Sequence, residues 1–172
     1  MKVARSAAAL ALIVVCSGCG YALVGRNTFL PERIKVIVVT PFENRTARPQ
    51  IEQRITEEVA RELSKRGRYK IVTEKTDADA LLEGAVVDFR TNPVQFNAQG
   101  RATRVETVVT IQATLRDLQG DAILWSQSGL LFREQYDVPA NETSYFDQEN
   151  QALDEIAQGA ASALVTSVLE GF

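Results

Sequence analysis

Few side chains in this sequence can do chemistry. Histidine is absent from all 172 residues, which removes the commonest general base, the commonest zinc ligand and the usual switch near neutral pH. No Gly-rich phosphate loop, nucleophile elbow or metal-spaced cluster is present. The acidic stretch from Asp77 to Gly84 lacks the glycine and terminal glutamate of a calcium loop and reads as a solvated turn. Asp88 and Glu106 are the carboxylates a hydrolase would have to use, and their spacing supports no acid–base pair. The expectation is a chain with no enzymatic activity and no cofactor. What remains is guanidinium and thiol chemistry. Arg90, Arg101 and Arg104 flank the stretch Thr91 to Gly100, with Arg116 and Arg133 further on. Guanidinium grips phosphate through two parallel hydrogen bonds; the plainer reading is surface arginine paired with Glu106, Glu134 and Asp88. The sole tryptophan, Trp125, reads as a core or interface anchor.

The two thiols, Cys16 and Cys19, lie at the end of an apolar run. Met1 to Arg5 is a short basic segment, and Ala7 to Val15 is nine apolar residues. Nine residues cannot cross about 30 Å of hydrocarbon, which takes about 20, but they suit the hydrophobic region of a secretory signal. Ser17 and Gly18 put small residues before Cys19, the pattern of a bacterial lipobox, with Cys16 where leucine is usual. A peptidase of that pathway cuts before a cysteine already carrying diacylglycerol. Bulky Val15 makes Cys16 the poorer site. The alternative is an uncleaved N-terminal anchor with two incidental cysteines. Residues 1–18 are therefore expected to be a signal peptide and Cys19 the acylated first residue of a mature chain. Cleavage removes Lys2 and Arg5 and takes the formal net charge from −3 to −5. Burial of acyl chains contributes roughly 0.8 kcal/mol per methylene, so two or three chains hold the protein to a membrane durably. Gly20 replaces the aspartate that commonly retains lipoproteins at the inner membrane, which points to the outer one. Export also excludes nucleic acid as the arginines' partner and leaves a phosphorylated lipid.

The elements that must position these residues follow from periodicity. Residues 19–33 are rich in turn formers and read as a tether; residues 34–172 form one domain. Ile34 to Thr40 is a β-branched run, apolar on both faces, suited to a buried strand. Pro49 opens a helix whose stripe is Ile51, Ile55, Val59 and Leu63, with Gly67 as its stop. Tyr69 to Val72 is a short extended piece, and Ala80 to Arg90 a strand in which Gly84 marks a bulge or close approach. Thr91 to Gly100 reads as a polar loop. From Arg101 to Asp117, Val105, Val109, Ile111, Ala113 and Leu115 alternate with Arg104, Glu106, Thr110, Gln112, Thr114 and Arg116. Ala122 to Val138 returns as its hairpin partner. The last segment is a helix with Leu153, Ile156, Ala157, Ala160, Leu164 and Val168 on one face, where Gly159 permits close approach to the sheet. The expected fold is a two-layer α+β sandwich of order β-α-β-β-β-α, two helices on one face of a mixed four-stranded sheet. The other face is left for function.

Cys19-Gly20-Tyr21 with Leu23 and Gly25, the β-branched run through Thr40, the hairpin from Ala102 to Trp125 and the long final helix together resemble the lipopolysaccharide-assembly lipoprotein family, LptE. The likeness spans essentially the whole mature chain. It implies an outer-membrane lipoprotein lodged as a plug in the lumen of the β-barrel translocon LptD, assisting barrel assembly and delivery of lipopolysaccharide to the outer leaflet. It also implies lipopolysaccharide contacts from basic side chains beside the central hairpin, here Arg101 and Arg104. The competing expectation is a free-standing envelope lipoprotein that binds peptidoglycan or a secretion partner through its exposed sheet face.

Overall fold

The computed structural model describes residues 30–66, 68–138 and 145–171. In chain order the elements are strand β1 (Val36–Val39), strand β2 (Glu43–Asn44), helix α1 (Ile51–Lys65) and strand β3 (Lys70–Val72). A 3₁₀ turn (Lys75–Asp77) leads to strands β4 (Ala80–Phe96), β5 (Ala102–Asp117) and β6 (Ile123–Asp137), and then helix α2 (Tyr145–Glu170). The spatial order of the sheet is β3-β1-β4-β5-β6, with β2 also paired to β4. The β1–β3, β1–β4 and β2–β4 pairs are parallel, and the β4-β5-β6 meander is antiparallel.

Both helices lie on one face. In α1 the stripe Ile51, Ile55, Val59 and Leu63 is wholly buried. In α2 the buried apolar set is Ala152, Leu153, Ile156, Ala157, Ala160, Ala161, Leu164, Val165, Val168 and Leu169. These meet Ile37, Leu82, Val86, Val109, Ile111 and Leu115 from the sheet, with Trp125 in the same core. Arg54 pairs with Asp154, and Arg66 Nη2 donates to Thr166 Oγ1 at 3.1 Å, so the helices run side by side in the same direction. Each layer covers what the other would expose. Two glycines make the layers fit. A Cβ at Gly159 would fall 2.2 Å from the ring of Phe132 on β6, so α2 sits directly on that strand. A Cβ at Gly84 would lie 2.7 Å from both the Gln112 carbonyl oxygen and the Phe42 ring.

The sheet corrects the expectation in three ways. It has six strands rather than four, and the order β-α-β-β-β-α omits β2 and one strand of the run that follows α1. The three residues of β3 join by parallel pairing with β1, and the two of β2 align with Ala85 and Val86, both too short to show a period. The stretch Thr91 to Gly100 is mostly strand, not loop, since β4 runs to Phe96. Pro93 lies inside that strand, where beyond Val86 only β5 pairs with β4 among the described residues. An edge tolerates a residue without an N–H. Helix α1 begins at Ile51, two residues after Pro49, with Gln50 left-handed at φ 66°. The stop expected at Gly67 lies outside the described residues.

Candidate functional site

The meander has two poles. At one, the chain enters. Leu30 and Ile34 are buried beneath the start of the sheet. Between them Arg33 grips Asp117 through both guanidinium nitrogens, Nη1 to Oδ1 at 3.0 Å and Nη2 to Oδ2. Asp117 ends β5 and its side chain is almost fully enclosed. The Arg33 guanidinium first, then the N–H groups of Gln119 and Gly120, hold its carboxyl at about 2, below the ordinary carboxylate range. Next to it, Asp79 accepts the N–H groups of Lys35 and Val36, each at 2.9 Å, and these lower its carboxyl too. Two carboxylates therefore fasten residues 33–36 to the body. Asp79 belongs to the stretch expected to be a solvated turn; its position just before the strand that starts at Ala80 was the only available signal. Cys19, the expected acylation site, and residues 1–18 lie outside the described residues.

The other pole is the β4–β5 turn. Asn97 Oδ1 accepts the N–H groups of Gln99 at 3.0 Å and Arg101 at 2.9 Å, and Gly100 takes φ 74°. This places Arg101 at the tip. Arg104 sits three residues down β5, between Gln95 and Asp137. Its Nε donates to Asp137 Oδ1 at 2.7 Å; that contact raises the Arg104 pKa and lowers the Asp137 carboxyl. Arg90 and Arg133 flank Val108 in one cross-strand row, and Arg90 Nε reaches Asp88 Oδ2 at 2.7 Å. Arg116 is not part of this group: it lies at the entry pole beside Asp121, 3.4 Å away. The thirteen residue-to-residue steps from Arg104 to Asp117 span about 43 Å at roughly 3.3 Å each. Two apolar neighbours of these arginines that no sequence pattern singles out, Val94 and Phe96, are 46% and 58% exposed. A phenylalanine inside a polar stretch was the available hint.

The sheet face turned away from the helices carries Asp88, Arg90, Glu106, Thr110, Gln112, Thr114 and Arg133, by alternation with the buried residues of β5. Thr114 Oγ1 and Ser126 Oγ lie 3.1 Å apart across it. Asp88 stands opposite Thr110, so Glu106 is about 13 Å away along the strand. That separation, with Asp88 held by Arg90, keeps these two carboxylates from acting together on one bond. Among the described residues no cluster of three or more metal-ligating side chains occurs, and no helix is long and apolar enough to cross a membrane.

A family model described as "LptE: Lipopolysaccharide-assembly" matches residues 34–168. Among solved structures, lipoprotein B from Nitrosomonas europaea is similar at 19% identity and TM-score 0.55, covering 88% of this chain and 96% of its own. The rare lipoprotein B from Shewanella oneidensis is similar at 14% identity and TM-score 0.52, covering 76% and 92%. At these identities the likeness is one of fold. No curated protein matches the sequence.

Proposed function

This chain belongs to the LptE lipopolysaccharide-assembly family, and from that premise we propose that it is a non-enzymatic outer-membrane lipoprotein, acylated at Cys19, that lodges in the LptD β-barrel. The observation that carries this reading is the uncovered sheet face. Its charges neutralise one another locally, as in the pairs Arg90–Asp88 and Arg104–Asp137, and hydroxyl and amide side chains, with the exposed Leu131 beside Thr110, fill the space between. A barrel lumen of this type is polar and wet, so a domain occupying it needs such a face. The acyl tether raises the effective concentration of the domain beside the barrel.

The same reading assigns lipopolysaccharide to the turn pole. Arg101 and Arg104 offer guanidinium to phosphate, and Val94 and Phe96 offer exposed apolar surface beside them, a combination suited to an anionic amphiphile. Phosphate must compete with Asp137 for Arg104, which makes this contact weaker than a bare guanidinium would give. The test is detergent extraction of outer membranes followed by affinity purification of the tagged chain. A stoichiometric complex with the large barrel is expected. A monomer, or a complex with peptidoglycan or a secretion component alone, would overturn the reading.

A further inference from the structure

The last strand of the sheet has an open side. Among the described residues β6 pairs only with β5, so half of its backbone N–H and C=O groups face outward along 15 residues. Natural edge strands are usually defended by charge, proline or cover. Here the ten residues Ile123 to Phe132 contain no charged residue and no proline. Ile123 and Leu131 are both exposed. Beside this edge runs a shallow, mainly apolar groove of about 570 Å³, lined by Gln127 and Leu130 of β6 and by Gly159, Ser162, Ala163 and Thr166 of α2. The helix floor is built from small residues, so the space a neighbouring strand's side chains would occupy is empty.

The groove's charge identifies what fits it. Phe132 packs on Gly159. Two residues further on the same side of β6 comes Glu134, and one turn earlier on the same face of α2 comes Glu155. Glu134 meets only the Gln135 N–H at 3.3 Å, and Glu155 only Gln151 Nε2 at 3.0 Å, so neither meets a cation among the described residues. Helix α2 contains no lysine or arginine at all. We infer that β6 and α2 form a docking site for an extended segment of another polypeptide, which adds to the sheet as a further strand. That segment has small or β-branched side chains at alternate positions, facing the groove, and a lysine or arginine at the end that meets Glu134 and Glu155. An acyl chain would fill the groove but leave the edge amides unsatisfied. A second copy pairing antiparallel would bring the uncharged 123–127 end of its own β6 to the two glutamates and set one acidic helix beside another. The inference does not depend on the barrel being the partner.

The probe is the peptide Lys-Thr-Val-Thr-Val-Thr-Val-Thr-Lys, added to the full chain in detergent and followed by backbone amide hydrogen exchange. Binding is expected to slow exchange of the outward amides of Ile123 to Phe132 at least tenfold, with no change along the free edge of β4. A peptide with glutamate at both ends should bind at least tenfold more weakly, and one with a central proline should not protect. Ser162→Glu, on the partly exposed face of α2, should abolish protection while leaving the thermal midpoint near wild type. Three results would overturn the inference: no protection at millimolar peptide, equal protection by the proline peptide, or β6 amides already protected without peptide. In the last case, a concentration-dependent mass in sedimentation would assign the edge to a second copy, and a constant one to the chain's own remaining residues.

Discussion

Gly84 and Gly129 are both strand glycines, and the packing around them predicts opposite responses to one methyl group. At Gly84 the added Cβ would lie 2.7 Å from the Gln112 carbonyl oxygen, 2.7 Å from Phe42 Cε2 and 2.9 Å from Phe42 Cζ. Neither neighbour can yield easily. The oxygen belongs to the β4–β5 ladder, and the Phe42 ring is buried in the core. Overpacking of this kind costs about 1–3 kcal/mol. Replacing glycine offsets about 0.4–1 kcal/mol of that by restricting the unfolded chain. Gly84→Ala is therefore expected to lose about 1.3 kcal/mol at the middle of these ranges and about 2.6 kcal/mol at most, at about 4 °C of Tm per kcal/mol for a domain of this size. At Gly129 nothing lies within 4 Å of the added Cβ, and φ is not positive. Only the unfolded-state effect remains there, so Gly129→Ala should gain about 0.4–1 kcal/mol. Urea titration followed by the fluorescence of Trp125 measures both. A Gly84→Ala midpoint at or above wild type, or a Gly129→Ala midpoint below it, would refute the reasoning.

Acid should weaken the entry pole. The folded-state carboxyl of Asp117 is held at about 2, so its contribution is complete above the ordinary carboxylate range and fades as pH falls from about 4 to 2. Asp117→Asn is expected to melt lower than wild type at pH 7 and to show a smaller further loss by pH 2, as calorimetry at the two pH values can show; parallel curves would count against the Arg33 clamp. Cys19→Ala should give a folded, unanchored chain that keeps residues 1–18, read by intact mass and membrane fractionation; normal sorting of that variant would remove the acylation assignment. Replacing Arg101 and Arg104 together with alanine should reduce co-purifying lipopolysaccharide several-fold while leaving barrel association intact. If lipid retention is unchanged, the two are surface charges.

What the sequence made legible follows from periodicity. The stripe of α1, the face of α2 and the alternation of β5 were readable because each repeats long enough to exceed chance, and Gly84 and Gly159 stood out as breaks in otherwise regular patterns. Strands of two or three residues have no period to read, so β2 emerges only from its pairing with β4, and β3, legible as an extended piece, is placed in the sheet only by its pairing with β1. Thr91 to Phe96 reads as loop because its residues are polar and include Pro93, and whether a strand tolerates proline depends on which side is paired, a fact of topology rather than of local sequence. At the candidate site, the types and positions of Arg101 and Arg104 could be read, but not the pairing of Arg104 with Asp137, 33 residues away. The Arg33–Asp117 clamp spans 84 residues and was invisible for the same reason.

That clamp also sets the molecule's reach. Eleven residue-to-residue steps lead from Cys19 to Leu30, a span of at most about 38 Å when fully extended. An acylated Cys19 would therefore keep the entry pole within about 38 Å of the bilayer surface, because docking of Leu30, Arg33 and Ile34 allows no more slack. The arginine pole stands about 43 Å further along the meander, a distance greater than the roughly 30 Å thickness of the hydrocarbon core. A domain upright within a barrel would thus carry its 97–101 turn through the depth of the membrane, whereas one lying in the periplasm would hold both poles at the same level. Distance from a spin label at Gln99 to lipid headgroups of either leaflet separates these arrangements. If the label lies no farther from the inner-leaflet headgroups than one placed at Asp121, the upright orientation is excluded, and with it the assignment of the arginine pole to lipid arriving at the outer leaflet.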